Sequence, residues 1–295
     1  MNSSEVISAA AAGTFSLGGD LVVNRLGYGA MRITGNGIWG PPVDKPAALA
    51  TLRRAVELGV NLIDTADSYG PGTSEELIAE ALHPYPADLV IATKGGWERP
   101  GPGWWTHNAS PAHLTKAIEA SLKRLRVDRI DVYQLHVPDP AVSFDASMET
   151  LARARESGKI GHVALSNVAL EYVERARKIV PIVSVQNRYS FADREWDFVV
   201  DYCEQHGIGF MPWAPMAQQR YANDVLESVA KQLNAIPLQV ALAWLLKRSR
   251  VMLPIPGTSS VAHVEQNIAS AALELPDNVY RALSAVNPPP AVLRG

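Results

Sequence analysis

The chain has 295 residues, of which 47% are apolar and 19% charged, with a net charge of −3. That balance suits an ordinary globular protein and gives no electrostatic case for binding nucleic acid or an anionic membrane. No apolar run approaches the roughly 18 residues that a membrane-spanning helix needs, and a single cysteine, Cys203, excludes an internal disulfide and a cysteine-based zinc site. These features together suggest a reducing, cytoplasmic setting.

Residues 1–12 carry no basic region, so they read as a flexible polar leader rather than a signal peptide. Phe15-Ser16-Leu17, Gly18-Gly19-Asp20 and Leu21-Val22-Val23 predict a short hairpin. A repeating rhythm of apolar strand, loop and amphipathic helix follows. Strands are predicted over 26–30, 61–64, 89–93, 130–135, 160–166, 183–186, 209–213 and 252–255. They are near-continuous apolar runs, as parallel strands covered by helices should be. Helices are predicted over 45–58, 74–82, 110–125, 144–156, 170–179, 194–206, 237–247 and 261–271. Gly59 ends the first, and Ser110-Pro111 opens the third as an N-cap with proline in the first turn. Eight strands alternating with helices, without a linker or a break in composition, predict one (β/α)8 barrel of the TIM type, with the hairpin closing its bottom. A doubly wound open sheet ranks second, because Leu26-Gly27-Tyr28-Gly29-Ala30-Met31 lacks the third glycine of a dinucleotide turn.

Three successive strands end in chemistry. Asp64 and then Tyr69 follow the second, Lys94 closes the third, and His136 closes the fourth. Taken singly, each has a bland reading as a turn, solvated or core residue. On neighbouring barrel strands they converge at one end. A free phenol, with a pKa of about 10, is a poor acid at neutral pH. An adjacent Lys94 ammonium is expected to lower that value, with Asp64 holding Lys94 in place. His136 could orient a carbonyl oxygen, so that Tyr69 donates a proton to it. The long loop 95–108 carries Trp97, Trp104 and Trp105; with Trp39 they are candidate walls of a substrate pocket.

Pro256-Gly257-Thr258-Ser259-Ser260 at a helix start is either plain capping chemistry or an anion site. Metal-dependent hydrolysis is disfavoured, since only His136 is well placed as a strand-end ligand.

The strings Asp64-Thr65-Ala66-Asp67-Ser68-Tyr69-Gly70, Ala92-Thr93-Lys94-Gly95 and Asp131-Val132-Tyr133-Gln134-Leu135-His136 resemble the aldo-keto reductases. The resemblance runs from about Phe15 to Leu283. Segments 25–31, 38–42 and 255–263 are most similar to the bacterial pyridoxal-reductase-like branch. It implies an Asp/Tyr/Lys/His tetrad on a (β/α)8 barrel and hydride transfer from NADPH. It also implies that Ser166, Asn167 and Gln186 hold the nicotinamide carboxamide and that Trp213, where tyrosine is more usual, stacks on the ring. Gly29, Ala30 and Met31 would lie by the ribose. Gly257, Thr258, Ser259 and His263 would take the phosphate, and Gln266 and Asn267 the adenine. Gly257 and His263 stand where strongly NADPH-selective members often carry Lys and Arg, so the preference over NADH is expected to be narrower and to follow the protonation of His263.

The expected activity is reversible reduction of aldehydes or ketones to alcohols. Pyridoxal reduction in particular, or a slow cofactor-binding, redox-sensing subunit, are the alternatives. An aromatic mouth and a short tail after Leu283 suit flat or bulky small-molecule carbonyl compounds. Oligomeric state is not legible.

Overall fold

A computed structural model describes residues 7–215 and 220–286. The tail beyond 286 and Met1–Val6 lie outside the described residues. Strands β1 (Thr14–Leu17) and β2 (Leu21–Asn24) form an antiparallel hairpin, pairing Leu17 with Leu21 across the glycine turn. Before it, Ala9–Ala12 form a 3-10 turn capped by the Ser8 side chain, with Ala9 fully buried. Within the leader expected over 1–12, these four alanines thus form a turn, held by the burial of Ala9 and its N–H bond to Leu58 O at 2.8 Å, while Ala10 and Ala11 stay exposed.

Seven strands follow in one parallel sheet: β3 (Tyr28–Gly29), β4 (Leu62–Asp64), β5 (Val90–Gly95), then, after the ribbon β6 (Trp97–Glu98) and β7 (Thr106–His107), β8 (Ile130–Leu135), β9 (Ile160–Ser166), β10 (Ile182–Gln186) and β11 (Gly209–Phe210). Their spatial order is their chain order. The sheet's two edges are joined through segment 251–256. On one side Phe210 donates to Val251 O at 2.8 Å and Leu253 donates to Phe210 O at 2.8 Å. On the other, Gly27 donates to Pro254 O at 2.9 Å and Gly29 to Pro256 O at 3.5 Å. The eighth predicted strand, 252–255, thus has the right place but no regular ladder. Pro254 and Pro256 have no N–H to donate, so the segment pairs mainly through its carbonyls.

Helices α1 (Lys45–Glu57), α2 (Thr73–Leu82), α3 (Pro111–Leu125), α4 (Phe144–Glu156), α5 (Leu170–Ala176) and α6 (Asp197–His206) alternate with the strands. They are followed by α7 (Arg220–Gln232), α8 (Pro237–Arg248), α9 (Val261–Ala269) and α10 (Asp277–Ser284). Side-chain caps start three of them: Asp44 accepts from Ala47 N–H, Ser110, the predicted cap, from His113, and Ser143 from Ala146. In α1, Ala48, Thr51, Leu52 and Ala55 form the buried stripe at helical spacing. Helices α7 and α10 are additional to the eight predicted. Leu226 and Ala230 supply α7's buried face.

Two apolar clusters lie on opposite faces of the sheet. The inner one holds Leu62, Val90, Ala92, Val132, Ala164, Val183, Met211 and Leu253, with Leu17 and Val23 of the hairpin. Because side chains alternate along a strand, the inward set Leu62, Ala92, Val132 and Ala164 continues two residues later as Asp64, Lys94, Gln134 and Ser166. The barrel interior is apolar at one end and polar at the other. A register irregularity between Ile182 and Val185 lets β10 keep both Val183 and Gln186 facing inward. Among the described residues, no single helix is long and apolar enough to cross a membrane.

Candidate active site

Strand register brings the polar ends together. Asp64 is opposite Ala92, Lys94 opposite Gln134, and Gln186 opposite Ser166. Lys94 is fully buried, and its Nζ donates to Asp64 Oδ2 at 2.7 Å and to Thr65 O at 2.9 Å. The same Nζ lies 3.4 Å from the Tyr69 hydroxyl. Tyr69 reaches this position because the chain doubles back after β4: its N–H bonds Ala66 O, and Gly70 and Gly72 take left-handed backbone conformations at φ 74° and 81°. His136 meets Tyr69 edge-on, with ring centroids 5.8 Å apart, and its Nδ1 lies 3.4 Å from Ser68 Oγ. The four residues singled out by their strand ends do converge.

Their electrostatics differ from the expectation in one respect. Burial pushes the Tyr69 phenol above its ordinary range, and the Lys94 charge offsets only part of that rise. Proximity of the ammonium was legible in sequence, whereas complete removal from water was not. Tyr69 is therefore protonated at neutral pH, as a proton donor must be. For Lys94, burial pulls down, but Asp64 and then Tyr69 outweigh it and raise the ammonium above its usual value. His136 is held well below its ordinary range, first by burial and second by the Lys94 charge.

That shift predicts a pH effect on stability. His136 is neutral in the fold, and the unfolded chain takes up the proton first as pH falls below about 6.5. Its stabilising contribution is present above that pH and is lost below it. His113, lowered mainly by burial, acts in the same direction. Urea midpoints should fall between pH 7 and 5, and less steeply in His136→Asn. Parallel slopes for the two proteins would remove His136 from the account.

Beside the tetrad lies a cavity of ≈ 780 Å³. Its walls include Gly29, Met31, Asp64, Tyr69, Trp97, Trp105, His136, Ser166, Asn167, Gln186, Trp213 and Gly257. Asn167, at φ 56°, donates to His136 O and Ser166 Oγ, both at 3.0 Å, and accepts from Trp213 Nε1 at 3.0 Å. Gln186 also faces Asp64, donating to its Oδ1 at 2.8 Å. Ala30 is buried in the core beside the cavity rather than on its wall. Thr258 Oγ1 accepts from Ser260 N–H at 3.1 Å and lies 3.4 Å from His263 Nδ1, while Ser260 makes no side-chain cap of α9. Ser259 and His263 are exposed at this turn, and Gln266 is exposed on α9. Asn267 is buried, and its Oδ1 has no hydrogen-bond partner. A buried acceptor left bare is costly, and a ligand amino group would satisfy it, so the residues fit an adenine nucleotide on this side of the barrel.

The aromatic candidates separate. Trp97 and Trp105 lie edge-on to each other at 5.8 Å and to His136 at 6.3 and 6.5 Å. Trp104 is 70% exposed and is not among the cavity's walls. Trp39 is half-buried and sits over Arg99, away from the cavity lining. Trp105 turns inward against the Arg99 guanidinium, 3.7 Å from its ring centre, whereas Trp104, just before it, offers Arg99 its carbonyl oxygen.

Three site residues were not anticipated. Gln134 donates to Asp64 Oδ1 at 2.8 Å; its position two residues before His136 on the same strand face was a usable signal. Arg32 lines the cavity, and Ser68 faces His136. Among the described residues, no group of three or more His, Cys, Asp or Glu side chains is placed to hold a metal.

The model of the aldo/keto reductase family matches residues 25–288. The chain belongs to that family. It is 44% identical over 281 residues to pyridoxine 4-dehydrogenase of Escherichia coli, covering 93% of this chain and 98% of that protein. It is 46% identical over 282 residues to an uncharacterized oxidoreductase, C215.11c, of Schizosaccharomyces pombe, covering 95% and 92%. Among solved structures, an aldo/keto reductase from Klebsiella pneumoniae in complex with NADP and acetate superposes with a TM-score of 0.79 at 25% identity, covering 94% of this chain and 96% of that one. As a family member, this chain is an oxidoreductase with a TIM-type barrel.

Proposed function

We propose that this family member reduces aldehydes or ketones to alcohols, reversibly, with NADPH as cofactor. The carrying observation is the Tyr69 hydroxyl on the cavity wall, 3.4 Å from an ammonium that Asp64 anchors. NADPH, when bound, supplies the hydride. Asn167, Ser166 and Gln186 would hold its carboxamide and Trp213 its ring face. Met31, with Gly29 and Ala30, would border the ribose. Gly257, Thr258, Ser259 and His263 would take the phosphates, and Asn267 and Gln266 the adenine. NADH is expected as a weaker alternative, since no arginine or lysine stands at 257 or 263.

The protein's own part is proton handling. His136, neutral at neutral pH, hydrogen-bonds the substrate oxygen and aims it at Tyr69. Tyr69 donates its proton to that oxygen as the carbon is reduced. The phenolate left behind is stabilised by Lys94, whose charge survives burial because of Asp64. Trp97 and Trp105 exclude water from the step.

A pyridine aldehyde such as pyridoxal is the finer substrate reading, favoured by the pyridoxine 4-dehydrogenase relative and by the flat aromatic wall. The hairpin serves as the barrel's floor, which the packing of Leu17 and Val23 into the inner cluster supports. A cytoplasmic setting is in keeping with Cys203, a free buried thiol pushed up to about 12 by burial and hence unreactive.

The test follows absorbance of the reduced nicotinamide with pyridoxal, 4-nitrobenzaldehyde, methylglyoxal and a polycyclic ketone. Turnover is expected with at least one aromatic carbonyl, faster with NADPH than with NADH. Quenching of tryptophan fluorescence by NADPH without any turnover would overturn the reductase reading and leave a cofactor-binding protein.

A further inference from the structure

The loop after β5 holds a cation whose polar partners among the described residues are all peptide carbonyls. Arg99 donates through Nε to Trp104 O at 2.9 Å, through Nη1 to Ile38 O at 3.0 Å and Ser68 O at 2.9 Å, and through Nη2 to Gly37 O at 3.0 Å. Its guanidinium carbon lies 3.7 Å from the centre of the Trp105 ring and 5.7 Å from that of Trp39. Among the described residues no carboxylate offsets its charge. The four carbonyls belong to three separate loops, which follow β3, β4 and β5. One of them, that of Ser68, belongs to the residue preceding Tyr69.

This arrangement has a backbone cost. Ile38 sits at φ 57°, in the left-handed region that a β-branched residue avoids. Its carbonyl is held from two directions, by Arg99 and by the Gly70 N–H at 3.2 Å. A strained residue persists where its surroundings over-determine it, and Arg99 is a large part of those surroundings. The other end of the chain of contacts is the site itself. Trp105 has Arg99 against it and lies edge-on to Trp97 and His136.

We propose that Arg99 is a positioning residue: it staples the three mouth loops, fixes Trp105 beside His136, and so sets the preference for flat aromatic carbonyl substrates. This rests on the reductase reading above. Arginine suits the task because one planar group can reach several acceptors from its edge while stacking through its face, which lysine cannot do.

The experiment compares Arg99→Met and Arg99→Lys with the wild-type protein, using 4-nitrobenzaldehyde and propanal as substrates. The ratio of kcat/KM for the aromatic over the aliphatic aldehyde should fall about tenfold in Arg99→Met, chiefly through KM. Arg99→Lys should not restore it. In a Trp105→Leu background, the Arg99 substitution should add little, because two residues acting through one wall are not additive. Equal losses for both aldehydes, or additive effects, would overturn the specificity role. Amide hydrogen exchange needs no turnover. It should rise at 37–40, 68–70 and 97–107, the three stapled loops, in the variants and nowhere else, and unchanged exchange sinks the staple. If no aldehyde is turned over by the wild-type protein, the reductase reading fails and takes the specificity role with it, while exchange still decides the staple. Should Arg99→Met fail to fold, Arg99→Lys carries both readouts.

Discussion

Tyr69→Phe is expected to lower turnover by at least about 100-fold, the usual contribution of a general acid, while NADPH still quenches tryptophan fluorescence at similar concentrations. The substitution removes one oxygen and keeps the ring. The residue is only 7% exposed, and its ring packs edge-on against His136. The hydroxyl's only protein hydrogen bond among the described residues is the 3.4 Å contact with Lys94, so the fold should lose no more than about 1 kcal/mol. A large kinetic loss with little thermal destabilisation therefore isolates proton donation from packing. Steady-state rates and a urea titration on the same preparation would check it. Near-normal turnover would mean that another group, or water, supplies the proton.

Lys94→Met should have the largest effect on stability. Lys94 and Asp64 form a pair with 0% and 4% of their side chains exposed. Among the described residues, removing the cation leaves Asp64 buried with only the Gln134 and Gln186 amides to solvate it. Breaking such a pair from one side typically costs about 3–5 kcal/mol. The unpaired carboxyl should then have a raised pKa. A carboxyl raised in the fold favours the folded state at low pH and disfavours it as pH rises, so the variant should regain stability on acidification, opposite to the His136 trend. Lys94→Met with Asp64→Leu should recover part of the loss, because neither charge is then stranded. Urea unfolding of the three proteins at pH 5 and 8 separates these cases. A single-variant loss below about 1 kcal/mol would indicate that water reaches Asp64 and that the pair is not sealed. Catalysis should fail in both variants, since the phenolate left on Tyr69 would have no cation beside it.

Much of this was legible because it is local or periodic. The run ending at Asp64, the run ending at Lys94 and the run ending at His136 each announce a strand and its terminal side chain. The helix start at Ser110 was similarly visible through capping chemistry. Other features needed information that no window contains. Trp104 and Trp105 are adjacent and chemically identical, yet one is exposed and the other lies against Arg99. Which of the two turns inward depends on the tertiary contacts of Trp105 with Arg99 and Trp97. The last predicted strand depended on two prolines whose missing N–H groups matter only once a neighbour is in place.

The sequence by itself determined the alternation of strand and helix, the parallel sheet it implies, and the set of Asp64, Tyr69, Lys94 and His136. Apolar periodicity and strand-end position are properties of short segments, and burial of parallel strands rewards only one arrangement of them. Tertiary structure alone decided how strongly those groups perturb one another. The phenol rises rather than falls because its distance from water, not its neighbour's identity, is the larger influence. It also decided that Gln134 and Gln186 converge on one carboxylate oxygen and that Arg99 ties three loops together. Those contacts join residues 31 to 122 positions apart, and a separation of that kind becomes a distance of ångströms only when the barrel closes.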